Sequence, residues 1–221
     1  MATIIVSYDG TENDTDALAL GKLLASGGAK LALAYVRHAE EPEVDKEIAA
    51  QKEAAALLEA GAAWLGDPDI PQHVVLSAST PAGLRELAEK QGADVIVFGS
   101  EYRTSPGHID PGTSAQRLLE GGPLAVAIAP AGFKGSAETI DTIASISEDG
   151  DPATAETAAA LAATLGASVV THSGPGVGLA VVGSKPGTAG GRVTLSAAAQ
   201  YLIEMLDCPV LVLPHGVALR L

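Results

Sequence analysis

An internal repeat is the feature of this sequence that most constrains its fold. Residues 141–170 resemble the start of the chain, and residues 178–214 resemble residues 93–130. A repeat of this length predicts that the two copies share the order of strands and helices over the segments that match. The corresponding positions are Asp9-Gly10 and Asp149-Gly150, Gly99-Ser100 and Gly183-Ser184, and Gln116 and Gln200.

The second copy is shorter than the first. Its second strand is separated from "GLAVVGS" only by "THSGPGV", so a helix-strand-helix section has no counterpart. The sequence therefore predicts a complete domain over residues 1–133 and a truncated domain over residues 138–221. A small polar linker at residues 131–138 joins them.

The first copy alternates short apolar runs with longer amphipathic segments. The apolar runs begin with "TIIVSYDG" and end with "PLAVAIAP", and each is typical of a buried parallel strand. Asn13 or Asp14 is the predicted cap of the first helix. This βαβαβαβαβ order predicts a doubly wound α/β sheet with right-handed crossovers.

Composition excludes several classes of function. The 221 residues carry a net charge of -14 and show no basic stripe, which argues against nucleic acid as a partner. No segment approaches the roughly 18 apolar residues that span a membrane, so we expect a soluble cytoplasmic protein. Cys208 is the one cysteine and is predicted to be a buried, inert thiol. The histidines do not have metal-ligand spacing.

The loop between "VIVFGS" and "GTSAQRLL" has features of an anion site. Helix N-termini carry free N–H donors, and a glycine beside them allows phosphate to approach the backbone. Gly112, Thr113 and Ser114 fit that role, with Gly99 at the crevice of the sheet. Two basic residues of the loop, Arg103 and His108, could add positive charge. The alternative is that these residues only cap a helix, with Tyr102, Glu101 and Asp110 opposing a phosphate.

Together these residues resemble the universal stress protein family. Its hallmark is G-x2-G-x9-G-[S/T] between a strand and a helix, and Gly99, Tyr102 and Gly112-Thr113 occupy those positions. Tyr102 replaces the middle glycine. In the second copy Gly183 is kept, whereas Pro186 and Ser196-Ala197 replace the remaining positions.

The resemblance implies the fold of adenine nucleotide alpha-hydrolase-like proteins and ATP, with or without Mg²⁺, as the ligand of the first copy. In the family the aspartate after the first strand lies beside the adenine. The implied site residues are Tyr8, Asp9, Val36, Gly99, Ser100, Tyr102, Arg103, Gly112, Thr113 and Ser114.

The implied function is that of a stress-linked sensor that binds an adenine nucleotide. We expect at most slow ATP hydrolysis, because no general base is evident near the loop. The alternative is a nucleotide-free scaffold that acts through contacts with a protein partner. The two fifth strands are expected to pair, giving a pseudo-twofold internal dimer in which the second copy covers the edge of the first. The sequence leaves open whether two chains also form a homodimer.

Overall fold

The computed structural model describes residues 1–133 and 140–221. The expected linker, and the start of a second domain at residue 138, therefore lie partly outside the described residues. Within them the chain forms nine strands and six helices. The strands are β1 (Thr3–Ser7), β2 (Lys30–Arg37), β3 (Gln72–Leu76), β4 (Val95–Gly99), β5 (Ala125–Ala129), β6 (Thr142–Ile146), β7 (Ser168–Val170), β8 (Leu179–Val182) and β9 (Val210–Val212). The helices are α1 (Asp14–Leu24), α2 (Val44–Leu65), α3 (Thr80–Gln91), α4 (Gly112–Leu119), α5 (Pro152–Leu165) and α6 (Ala197–Met205).

All nine strands belong to one sheet in the order β3-β2-β1-β4-β5-β9-β8-β6-β7. Every neighbouring pair is parallel except β5 and β9, which pair antiparallel with Ala127 opposite Leu211. The first half has strand order 3-2-1-4-5, and the second half repeats the order 2-1-4-5 from the opposite side. The expected pairing of the fifth strands and the pseudo-twofold internal dimer are thus confirmed.

Apolar side chains cover both faces of the sheet. On one face α1, α2 and α5 pack around residues such as Ile4, Val6 and Ile143, which are fully buried. On the other face α3, α4 and α6 pack around Ile5 and Ile96. A doubly wound sheet requires this arrangement, because parallel strands are apolar on both sides.

The second half contains fewer strands and helices than the first. Only residues 171–178 separate β7 from β8, whereas α2, β3 and α3 lie between the corresponding strands of the first half. The sheet therefore ends at the three-residue strand β7. In the part of the chain that the structure describes, this end of the sheet has no counterpart of the helices α2 and α3.

Two further expectations concern the whole chain. Cys208 is buried as predicted, and burial raises the pKa of its thiol to about 12, which disfavours the reactive thiolate. Among the described residues, no helix combines the length and the apolar character needed to cross a membrane.

Candidate functional site

A cavity of about 210 Å³ lies at the carboxyl ends of β1 and β4, beside the first turn of α4. This is the edge at which doubly wound sheets bind ligands. The loops that follow two neighbouring strands meet there because parallel strands end on the same side. The lining residues are Ser7, Asp9, Thr11, Asp14, Thr80, Phe98, Gly99, Ser100, Glu101, Tyr102, Pro111, Gly112, Thr113 and Ser114.

Ser100 fixes the loop between β4 and α4. Its hydroxyl donates to the carbonyl oxygen of Ala129 at 2.8 Å and accepts from the amide of Asp110 at 3.3 Å. In the second half the hydroxyl of Ser184 contacts Leu213 and Thr194 at the same two distances. Ser100 is buried, so its hydroxyl shapes the loop and is not free to hold a ligand.

The start of α1 is held against this loop. The side-chain amide of Asn13 donates to the carbonyl oxygens of Ser100 and Glu101, at 3.3 and 2.8 Å. Asn13 occupies the N-cap position but makes no capping bond, because its side chain is used in this way. Asp14 is the first helical residue. The predicted side-chain cap of α1 by Asn13 or Asp14 is therefore not formed, although Asn13 does occupy the N-cap position.

Gly99 allows the start of α1 to lie close to the end of β4. A Cβ atom placed on it would lie 2.3 Å from the carbonyl oxygen of Asn13. Real Cβ atoms do not come so close to a backbone oxygen, so α1 could not reach β4 if this residue carried a side chain. Glycine at this position is therefore required by packing, whether or not a ligand binds.

The first turn of α4 leaves backbone donors unused. Its N-cap is Pro111, and no side chain caps the helix. Gly112 has a φ of +59°, and its amide donates to Oδ1 of Asp110 at 3.0 Å. Within the described part of the chain, the amides of Thr113 and Ser114 have no protein acceptor. These two donors open onto the cavity.

The opposite wall of the cavity is acidic. The carboxylate of Asp14 accepts hydrogen bonds from the amides of Asp9 and Gly10, the second at 2.9 Å. Burial, followed by the neighbouring carboxylate of Asp9, raises the pKa of Asp14 to about 7. Asp14 is therefore partly protonated near neutral pH. Near neutral pH a ligand or a change in pH can therefore shift the ratio of its ionised to its protonated form.

The structure brings together most of the site residues that the family resemblance implies, but not all of them. Asp9, Gly99, Ser100, Tyr102, Gly112, Thr113 and Ser114 line the cavity. Tyr102 is 54% exposed and lies at the rim, so it does not fill the cavity. The guanidinium of Arg103 stacks on the ring of Tyr102 at 4.9 Å and is not part of the lining.

Tyr8 and Val36 lie elsewhere. Both are buried, Tyr8 in the core with α2 and Val36 in the core with α3, and neither lines the cavity. His108 is exposed and also lies outside the lining. Seven lining residues are not among the predicted site residues: Ser7, Thr11, Asp14, Thr80, Phe98, Glu101 and Pro111. Thr11 and Asp14 follow Asp9 within five residues, which was the signal available for them.

The corresponding cavity of the second half differs in character. It has a volume of about 180 Å³ and is lined by Ile146, Glu148, Val182, Gly183, Ala198, Ala199 and Leu202. Ser196 caps α6 by accepting from the amide of Ala199 at 3.0 Å, and its hydroxyl donates to Glu148. The helix end that is open in the first half is thus capped in the second.

The chain is a doubly wound α/β protein built as an internal dimer. Its two halves pair through β5 and β9, and a cavity lies at the carboxyl ends of β1 and β4. A sequence model of the universal stress protein family matches residues 1–130. The chain belongs to the universal stress protein family.

Solved structures of the family share this architecture. A universal stress protein from Archaeoglobus fulgidus DSM 4304 is 15% identical, with 97% of this chain and 98% of that one covered and a TM-score of 0.72. A putative universal stress protein from Pseudomonas aeruginosa UCBPP-PA14 is also 15% identical, with 98% and 94% covered and a TM-score of 0.64. These likenesses show the fold over both halves.

A third solved structure is a universal stress protein in complex with cAMP. It is 27% identical, with 53% of this chain and 81% of that one covered and a TM-score of 0.33. The bound cAMP is described for that protein alone. No curated protein matches the chain.

Proposed function

We propose that this protein is a cytoplasmic regulator that binds ATP in the cavity of its first half, residues 1–133. One observation carries the proposal. The helix α4 enters the cavity without a capping side chain, whereas its counterpart α6 in residues 138–221 is capped by Ser196. A helix end that opens into a cavity with unpaired amides is suited to an anion.

The phosphate groups of the nucleotide would lie against the amides of Thr113 and Ser114. Two hydroxyl groups, those of Thr113 and Ser114 themselves, are available beside these amides as further donors. The volume of about 210 Å³ is below the roughly 300 Å³ at which pockets for drug-sized ligands begin. Part of the nucleotide would therefore extend over the rim, where the exposed ring of Tyr102 offers a surface for stacking.

Asp9 and Asp14 would face the ribose and the adenine, where carboxylate oxygens can accept hydrogen bonds from hydroxyl and amino groups. With Glu101 they make the cavity unfavourable for a bare triphosphate. Mg²⁺ would offset part of that repulsion, since it lowers the charge of the bound nucleotide. ATP is therefore expected to bind more tightly with Mg²⁺ than without it.

A nucleotide-free scaffold is the second candidate. Among the described residues, three acidic side chains and no lysine or arginine line the cavity, which is the observation that favours this candidate. A scaffold would act through protein contacts alone. The two candidates differ in one measurable property, the affinity of the protein for ATP.

The test is calorimetric titration of the full chain with MgATP, using two variants at one position. Thr113→Pro removes the amide hydrogen at the second helical position, which α3 tolerates because it carries Pro81 there. Thr113→Ala keeps that hydrogen and removes the hydroxyl together with the γ-methyl group. We expect Thr113→Pro to weaken binding about tenfold or more, the equivalent of one charge-assisted hydrogen bond, and Thr113→Ala by a few-fold.

Circular dichroism and thermal melting check that both variants keep the fold. If the unmodified protein shows no heat at millimolar MgATP, the scaffold is the better description. If Thr113→Pro binds as tightly as the unmodified protein, nucleotide binds without this helix end.

A further inference from the structure

The cavity of the second half has become apolar. Ser7, Phe98 and Ser114 line the cavity of the first half. The register of β6 on β8, compared with that of β1 on β4, places Ile146 at the position of Ser7, and the repeat places Val182 and Ala198 at the positions of Phe98 and Ser114. Two hydroxyl groups are thus replaced by hydrocarbon. Together with the capped start of α6, this change removes the features that suit a nucleotide and leaves a groove that suits an apolar surface.

The groove is longer because, among the described residues, no counterpart of α3 covers it. In the first half α3 packs on the sheet and on α4 through Leu84, Leu87 and Ala88, and it buries Ala32 and Leu118 to exposures of 5% and 1%. Residues 140–221, the described part of the second half, place no helix at the equivalent position. The counterparts of Ala32 and Leu118 are Val170 and Leu202, and both are partly exposed.

The helix α6 adds further apolar surface beside the groove. Tyr201 is 66% exposed and Met205 is 64% exposed. The repeat places Tyr201 where the first half has Arg117, and Met205 where it has Gly121. Exposed tyrosine and methionine on one helix, next to an open apolar cavity, are typical of a surface that binds a partner.

We propose that this open groove, defined by Ile146, Val182, Ala198, Leu202 and the adjacent Tyr201 and Met205, binds a basic amphipathic helix of a partner protein. The first half shows the geometry, because there the chain's own helix α3 fills the same position through apolar residues spaced i, i+3 and i+4. The partner helix takes the position that α3 occupies in the first half and buries the exposed residues.

Charge complementarity determines the polar face of that helix. Glu148 lies in the lining of the groove, and residues 140–221 carry seven acidic and three basic side chains. An acidic helix would be repelled by this half of the protein, whereas lysines beside the apolar stripe would be attracted. The inference goes beyond nucleotide binding and does not depend on it.

The experiment uses the full chain and a peptide probe derived from α3. The probe has the sequence of residues 80–91 with Glu86→Lys, and it is held helical by a hydrocarbon staple joining positions 85 and 89, which are exposed in α3. A matched control peptide carries Leu84→Ser and Leu87→Ser in addition. Fluorescence anisotropy should show saturable binding of the probe to one site, and the control peptide should bind about tenfold more weakly or worse.

Three protein variants locate the site. Ala198→Arg fills the groove and repels a basic helix, so it should weaken binding about tenfold or more. Ala197→Arg is the control, because Ala197 is exposed on the same turn of α6 and does not line the groove. It should change affinity less than about twofold. Tyr201→Arg restores the residue type of the first half at an exposed position, where folding is not at risk, and should also weaken binding severalfold.

Binding of the probe with these losses supports the proposal. The proposal is overturned by absence of binding at millimolar protein, by equal binding of the control peptide, or by unchanged binding to both Ala198→Arg and Tyr201→Arg. It is also overturned if size-exclusion chromatography shows that the protein dimerises and that Ala198→Arg abolishes the dimer. In that case the groove is an interface between two copies of this chain.

Discussion

Substitution of Asp14 by asparagine provides a quantitative test of the electrostatics of the first cavity. The pKa of Asp14 rises from 3.8 to about 7 on folding, because the carboxyl is buried beside Asp9. A raised pKa means that the folded state holds the proton more tightly than the unfolded state. This contribution to stability is fully present below pH 3.8 and is lost as the pH rises to 7.

The magnitude follows from the size of the shift. Each unit of pKa difference corresponds to about 1.4 kcal/mol, so the whole titration amounts to roughly 4 kcal/mol. Between pH 5 and pH 8 the loss is roughly 2–3 kcal/mol. Asparagine cannot ionise, and its side-chain oxygen can still accept from the amides of Asp9 and Gly10.

The assay is urea denaturation of the unmodified protein and of Asp14→Asn at pH 5 and pH 8. The variant should gain roughly 2–3 kcal/mol in free energy of unfolding, relative to the unmodified protein, on going from pH 5 to pH 8. Glu53→Gln, an exposed carboxylate on α2, serves as the control and should show no such gain. Equal differences at the two pH values would refute the assignment of a raised pKa to Asp14.

Two further predictions concern the packing that shapes the loops. Ser100→Ala and Ser184→Ala should each lower the free energy of unfolding by about 1–3 kcal/mol, because each removes a hydroxyl that bonds a buried carbonyl and a part-buried amide. Chemical denaturation measures both, and losses confined to one variant would contradict the equivalence of the two loops. Gly99→Ala should cost about 1–3 kcal/mol or more, since its Cβ would collide with the carbonyl oxygen of Asn13. Gly190→Ala, which meets no atom within 4 Å, is its control, and equal melting temperatures would show that α1 does not approach β4 so closely.

The strand order was predictable from sequence because apolar runs, helix signals and the internal repeat all agree. The truncation between Val170 and Leu179 was visible as a missing segment of sequence. The pairing of β5 with β9 followed from the need to cover two apolar edges. These features depend on patterns that extend over many residues.

The details of the site depend on single contacts, which the sequence does not reveal. The side chain of Asn13 reaches a loop 87 residues away and so cannot cap its own helix. Gly99 matched a ligand-binding motif, but its immediate role is to admit the backbone of Asn13. The raised pKa of Asp14 arises from burial and from Asp9, both of which require the folded chain.

The most direct test of nucleotide binding in the first half is amide NMR spectroscopy of the full chain during titration with MgATP. We expect the largest shifts at the amides of Thr113 and Ser114, which have no protein acceptor in the described structure. The amides at the start of α6, beginning at Ala197, should remain unchanged. Shifts at α6 in place of α4, or no shifts at millimolar MgATP, would contradict the proposal.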